Sequence, residues 1–238
     1  MTQTGRAPAT ILALGIIVAA LIGAYAFISV RSADNTIQVT GSAIQDATAD
    51  TAKWTVSVSR IATQEEIGSA TSRVADDAQQ VINFFNTAGI TPENISTTPV
   101  FADQVYSSDP NAPTRYNVRE DISIQSNDPA LVEKLSKQIS SLARKGILVS
   151  PQQPEYYVTT LPKLRVALIG RAVQDAKARA MEIASSTGQH VGALKAASSG
   201  VVQVMEPNSV DVSDYGSYDT RTIDKQVMVT ARATFFLK

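Results

Sequence analysis

Twenty consecutive residues without a charge, ILALGIIVAALIGAYAFISV from Ile11 to Val30, lie between Arg6 and Arg31. A helix rises about 1.5 Å per residue, so twenty residues reach about 30 Å, the thickness of a bilayer's hydrocarbon core. We read residues 11–30 as a retained transmembrane anchor, behind a short tail (1–10) and ahead of a polar linker (31–35). A cleaved secretory leader is the competing reading, because Ala24-Tyr25-Ala26 resembles a cleavage site. Against it, the apolar part of a leader usually runs only about 7–15 residues. Arg6 on one side, and Arg31 with Asp34 on the other, give a weak orientation signal. A short tail before a large domain suits insertion with the N-terminus inside and the domain outside. Gly15, Ala19 and Gly23 form a small-x-x-x-small series that lets one membrane helix pack against another.

Residues 36–238 are expected to form one globular domain. Apolar residues make up 44% of the chain and charged residues 18%, a balance that supports a core and argues against wholesale disorder. The formal net charge is -1, from 21 basic and 22 acidic residues. That near-cancellation lacks the basic excess expected of a nucleic-acid binder. With no cysteine, disulfides, thiolate catalysis and zinc–sulfur sites are excluded. Neither G-x-S-x-G, G-x-G-x-x-G, G-K-[ST] nor S-x-x-K occurs, which disfavours the common hydrolase, dinucleotide and P-loop chemistries.

Periodicity places the elements. TIQVTGSAI and TAKWTVSVSR alternate with period two and read as strands, with Trp54, Val56 and Val58 on one face. TQEEIGSATSRVADDAQQVINFFNTAG then changes to helical spacing, with a capping box predicted at Thr63 and Glu66 and Gly89 at the end. ENISTTPVFADQVY and TRYNVREDISIQS read as one strand each. Asp128 and Pro129 open a second helix that runs to Gly146. ILVSPQQPEYYVTT reads as a strand interrupted by Pro151 and Pro154, near an edge. A third helix, about Pro162 to Thr187, carries Ala167, Ala172, Ala176, Ala180 and Ala184, and Gly188 is its left-handed cap. Two closing strands flank the loop PNSVDVSDYGSYDTRTI. The expected class is α+β, a mostly antiparallel sheet with three helices in the order ββαββαβαββ, preceded by one N-terminal transmembrane helix.

His190, the one histidine, lies just past the Gly188 cap and is read as incidental. A single histidine rules out the H-E-x-x-H zinc pattern. Asp211, Ser213 and Gly216 have calcium-loop spacing, but Thr222 stands where the bidentate glutamate belongs, so that stretch reads as an ordinary acidic loop. Its Tyr215 and Tyr218 suit contact with a partner. No residue is assigned to catalysis, to a cofactor or to a metal.

QDAKARAMEIASSTGQHVGAL resembles the alanine-rich helix of the SIMPL (DUF541) family, with Asp175, Ala176, Lys177, Ala180, Ala184, Gly188 and Gly192 at the family's positions. IQVTGSAIQDATADTAKWTVSVS is similar to the family's opening at Gly41, Asp50 and Ala52. It departs from that opening at Ala43, which replaces a glycine, and at Ala49, which replaces a proline; both are expected at a turn. AGITPENIST also resembles the family's segment after the first helix. The resemblance covers about Thr36 to Lys238. It implies a bacterial periplasmic or membrane-anchored protein, held in the inner membrane, that forms ring-like homo-oligomers in envelope integrity or stress. The expected partners are the bilayer and other copies of the chain. The alternative is an adaptor that presents strand edges to a peptide or ligand.

Overall fold

A computed structural model describes residues 6–32, 35–109, 111–209, 213 and 215–238. It opens with a helix, α1 (Arg6–Ser32), followed by β1 (Thr36–Thr48), β2 (Thr51–Ala62) and α2 (Ile67–Thr87). After a 3-10 turn at Pro92–Asn94 come β3 (Ile95–Thr97), β4 (Phe101–Val105) and β5 (Arg115–Ser126). Next are α3 (Pro129–Gln138), α4 (Ser140–Ala143), β6 (Val149–Pro151) and β7 (Glu155–Tyr157). The chain finishes with α5 (Leu161–Ser186), β8 (Val191–Met205) and β9 (Asp224–Leu237).

The α+β class with antiparallel pairing holds, but the expected order ββαββαβαββ and the count of three helices do not. Among the described residues four helices follow α1, because the one predicted from Asp128 to Gly146 is divided at Ile139 into α3 and α4. There the hydrogen bonding tightens: Ile139 N–H still reaches back four residues to Leu135 O, whereas Leu142 N–H reaches only three, to Ile139 O. Two predicted strands are each broken in two, at Pro99 and at the Pro151–Pro154 stretch, since proline supplies no ladder donor. The capping box forms only in part. Glu66 Oε2 accepts from Thr63 N–H at 3.1 Å, but the hydroxyl of Thr63 turns onto the same carboxylate and caps no helix amide.

Two discontinuous units make up the chain: residues up to Ala43 with 166–201 and 229–238, and residues 44–165 with 202–228. In the first, the alanine spacing of α5 buries Ala176 and Ala180 against Val39, Ala233 and Phe235. In the second, the central β2 pairs with β5 along its length, Ala52 with Ser126 through Ala62 with Tyr116. Trp54, Val56 and Val58 meet Ile122 and Ile124 on one face, which α2 covers with Val81 and Phe85 and α3 with Leu135. Trp54 stands edge-on to Phe85 at 5.6 Å, and its indole N–H donates to Gln152 O at 2.8 Å. The remaining strands form a sheet in the order β1-β9-β8.

Candidate functional site

On α1 the run Thr10–Ile28 has the length and composition to cross a membrane, and none of it is buried. Ile11 is 72% exposed and Leu12 69%. Gly15, Ala19 and Gly23, spaced four apart, share one helix face. All three are exposed, and a side chain added at Gly15 or Gly23 would meet nothing within 4 Å.

Three of the family-like positions, Gly41, Asp175 and Ala176, meet at one packing seam. A Cβ on Gly41 would overlap Ala172 O and Ala176 N and lie 2.8 Å from Ala176 Cα, so the strand approaches the helix backbone to backbone. Glycine on one side and alanine on the other permit that distance. One residue on, Ser42 N–H donates to Asp175 Oδ2 at 2.8 Å, and Asp175 also pairs with Arg179 at 2.9 Å. The Ser42 amide, together with Arg179, holds the Asp175 carboxyl below its ordinary range despite some burial. Gly188 takes φ +73° and ends the helix as the sequence predicts. Ala43 is not at a turn; it is a buried residue inside β1. Ala49 does lie between β1 and β2, and its N–H donates to Ile223 O at 2.9 Å, a bond that the family's proline could not make.

A second polar cluster closes the long loop before β9. Lys225 is fully buried, with Nζ donating to Asp219 O at 2.5 Å and to Asp219 Oδ2 at 3.2 Å. The Asp219 carboxylate also accepts from Thr222 Oγ1 at 2.6 Å, Thr222 N–H at 3.1 Å and Arg221 N–H at 3.1 Å. Burial pushes this carboxyl up, but those donors and the ammonium outweigh it and hold Asp219 far below the ordinary aspartate range. Burial is also the largest influence on Lys225 and lowers it. Two further ties hold the loop. Gln203 Nε2 donates to Ser213 O at 3.0 Å, and Tyr218 OH accepts from Val158 N–H at 2.8 Å. A surface depression of about 290 Å³ lies beside Tyr218, Asp219 and Arg221. The loop tyrosines therefore differ: Tyr215 is 98% exposed, whereas Tyr218 braces the fold.

Asp50 stands just before β2 and accepts from both the amide and the hydroxyl of Thr159, just before α5. On α2 the buried Asp77 receives Arg60 at 2.6 Å. His190 is exposed, and its backbone exchanges two 2.8 Å hydrogen bonds with Lys238. Among the described residues, no three His, Asp or Glu side chains are grouped as metal ligands. Asp211 lies outside the described residues. Sequence reasoning missed Lys225, Asp219 and Gln203. A signal for Lys225 was present, since it shares the alternation of Val227, Val229, Ala231, Ala233 and Phe235 on the buried side of β9.

An α+β domain that follows an exposed apolar helix, with its buried charges engaged by backbone and by one another, defines the class. The profile of the SIMPL family, described as a protein of unknown function (DUF541), matches residues 37–235, and the chain belongs to that family. No curated protein matches it significantly.

Proposed function

We propose that the chain is a membrane-tethered, extracytoplasmic protein without catalytic activity, whose domain associates with copies of itself in the cell envelope. The carrying observation is α1. An apolar helix with every residue of Thr10–Ile28 outside any core leaves a large apolar surface to be covered, and a bilayer covers it. The domain's polar chemistry supports a structural role. Asp50, Asp77, Asp175, Asp219 and Lys225 each hold a strand, helix or loop in place. The resemblance to SIMPL proteins supports the periplasmic side of the inner membrane, self-association and a part in envelope integrity or stress.

The test is the mass of the full-length protein in lipid nanodiscs, together with N-terminal sequencing of membrane-extracted protein. A retained Met1 and a multiple of the chain mass are expected. A mature N-terminus near Tyr25 or Phe27 replaces the anchor with a leader. A protein that stays single and grows only when a second protein is added is an adaptor.

A further inference from the structure

Among the described residues, β8 ends the three-stranded sheet with β9 as its strand neighbour there. From Ala193 to Gly200, eight consecutive residues are exposed, with Thr230 against Gly200. The stretch reads ALKAASSG, with no proline and one charge, Lys195, whose ammonium lies 5.5 Å from the Phe236 ring. In the other unit the strands flanking β2 and β5 are three to five residues long, and Pro99, Pro151 and Pro154 interrupt them. Short strands and prolines blunt an edge, whereas a long one without them pairs. That contrast favours β8 over VSPQQPEYYV, which is occupied on β2, and over the loop braced by Gln203 and Tyr218.

We propose that the Ala193–Gly200 edge of β8 pairs antiparallel with the same edge of a second copy, about a two-fold axis near Ala197. The inference rests on the self-association reading above. Edges that select foreign peptides add pockets for alternate side chains. Here alanines, serines and a glycine offer mainly backbone, so nothing in the stretch favours a different sequence over its own. A two-fold axis normal to the sheet sets residues of like parity opposite one another. Centred on Ala197, it places Lys195 opposite Ser199 and Leu194 opposite Gly200. The two ammonium groups are then apart; only a register centred on Lys195 would oppose them. Tethering both copies to one membrane by α1 raises their effective concentration and favours a weak backbone contact.

The chain lacks cysteine, so single-cysteine variants report proximity without background. In full-length protein in nanodiscs, Ala197→Cys should cross-link to a dimer under mild oxidation, while Gln79→Cys, exposed on α2, should not. Ala197→Lys and Ala197→Glu should each lower the associated fraction at least tenfold with unchanged circular dichroism, and an equimolar mixture of the two should restore it. If wild type associates but Ala197→Cys does not cross-link, or Ala197→Lys associates as wild type does, the β8 edge is wrong and self-association stands. A wild type of single mass removes the self-association reading itself.

Discussion

The carboxylate of Asp50 receives both the amide of Thr159, at 2.9 Å, and its hydroxyl, also at 2.9 Å, across 109 residues of sequence. It therefore sits where α5 begins and where free amides favour a negative charge. Burial raises the Asp50 pKa, but the bonds from Thr159 outweigh it and lower the carboxyl below its ordinary 3.8. A carboxyl with a depressed folded-state pKa stabilises the fold above its unfolded value, and that contribution is lost as pH falls through the folded value. Asp175 and Asp219 are lowered as well, so all three act in one direction. Full-length protein in detergent should lose stability as pH drops below about 4. Asp50→Asn should flatten that fall, as read by urea midpoints across pH.

Gly41→Ala is expected to destabilise the domain by about 1–3 kcal/mol, because the added methyl overlaps helix backbone that cannot rotate away. Gly41→Val should prevent folding of the first unit. Urea unfolding followed by circular dichroism compares both with Gly68→Ala, where the added carbon meets nothing within 4 Å.

Much of this seam was legible. Alanines four apart from Ala172 to Ala184 announce a close-packed helix face, and Gly188 its end. What Gly41 faces was not legible, because the partner lies more than a hundred residues away. The same holds for Asp50 and Thr159. Local signals such as the Asp128 cap, which accepts from Leu131 N–H at 3.0 Å, survive because both partners sit within one turn. The prolines at 99, 151 and 154 were visible, but whether a strand ends or bends at such a residue depends on the neighbour it pairs with.

Asp219→Asn removes the countercharge from a fully buried ammonium and should cost about 3–5 kcal/mol. Lys225→Met should cost less, since Asp219 keeps Thr222 and the Arg221 amide. The double variant should recover part of the loss of Asp219→Asn. A double-mutant cycle by chemical denaturation gives the coupling, and additive single effects would mean that the pair does not couple.

His190→Ala should leave stability within about 0.5 kcal/mol of wild type, because the side chain is exposed and the bonds to Lys238 are backbone. Thermal melting and the associated mass in nanodiscs are the readouts. A folded variant that fails to associate would give this histidine a role in contact.

The strand order β1-β9-β8 has a consequence in time. The middle strand is made last. Until Asp224–Leu237 leaves the ribosome, β1 and β8 have no common neighbour, and the first unit lacks Val229 onward. Local helices can form during synthesis, but this sheet must wait for a segment nearly two hundred residues from its first strand. Such distant closure slows folding. A chain threaded through a membrane in order, residue by residue, would arrive with its first strand exposed and its last one missing. Its vulnerable interval is thus fixed by the order of translation, and chaperone dependence should end abruptly when the final fourteen-residue strand is complete.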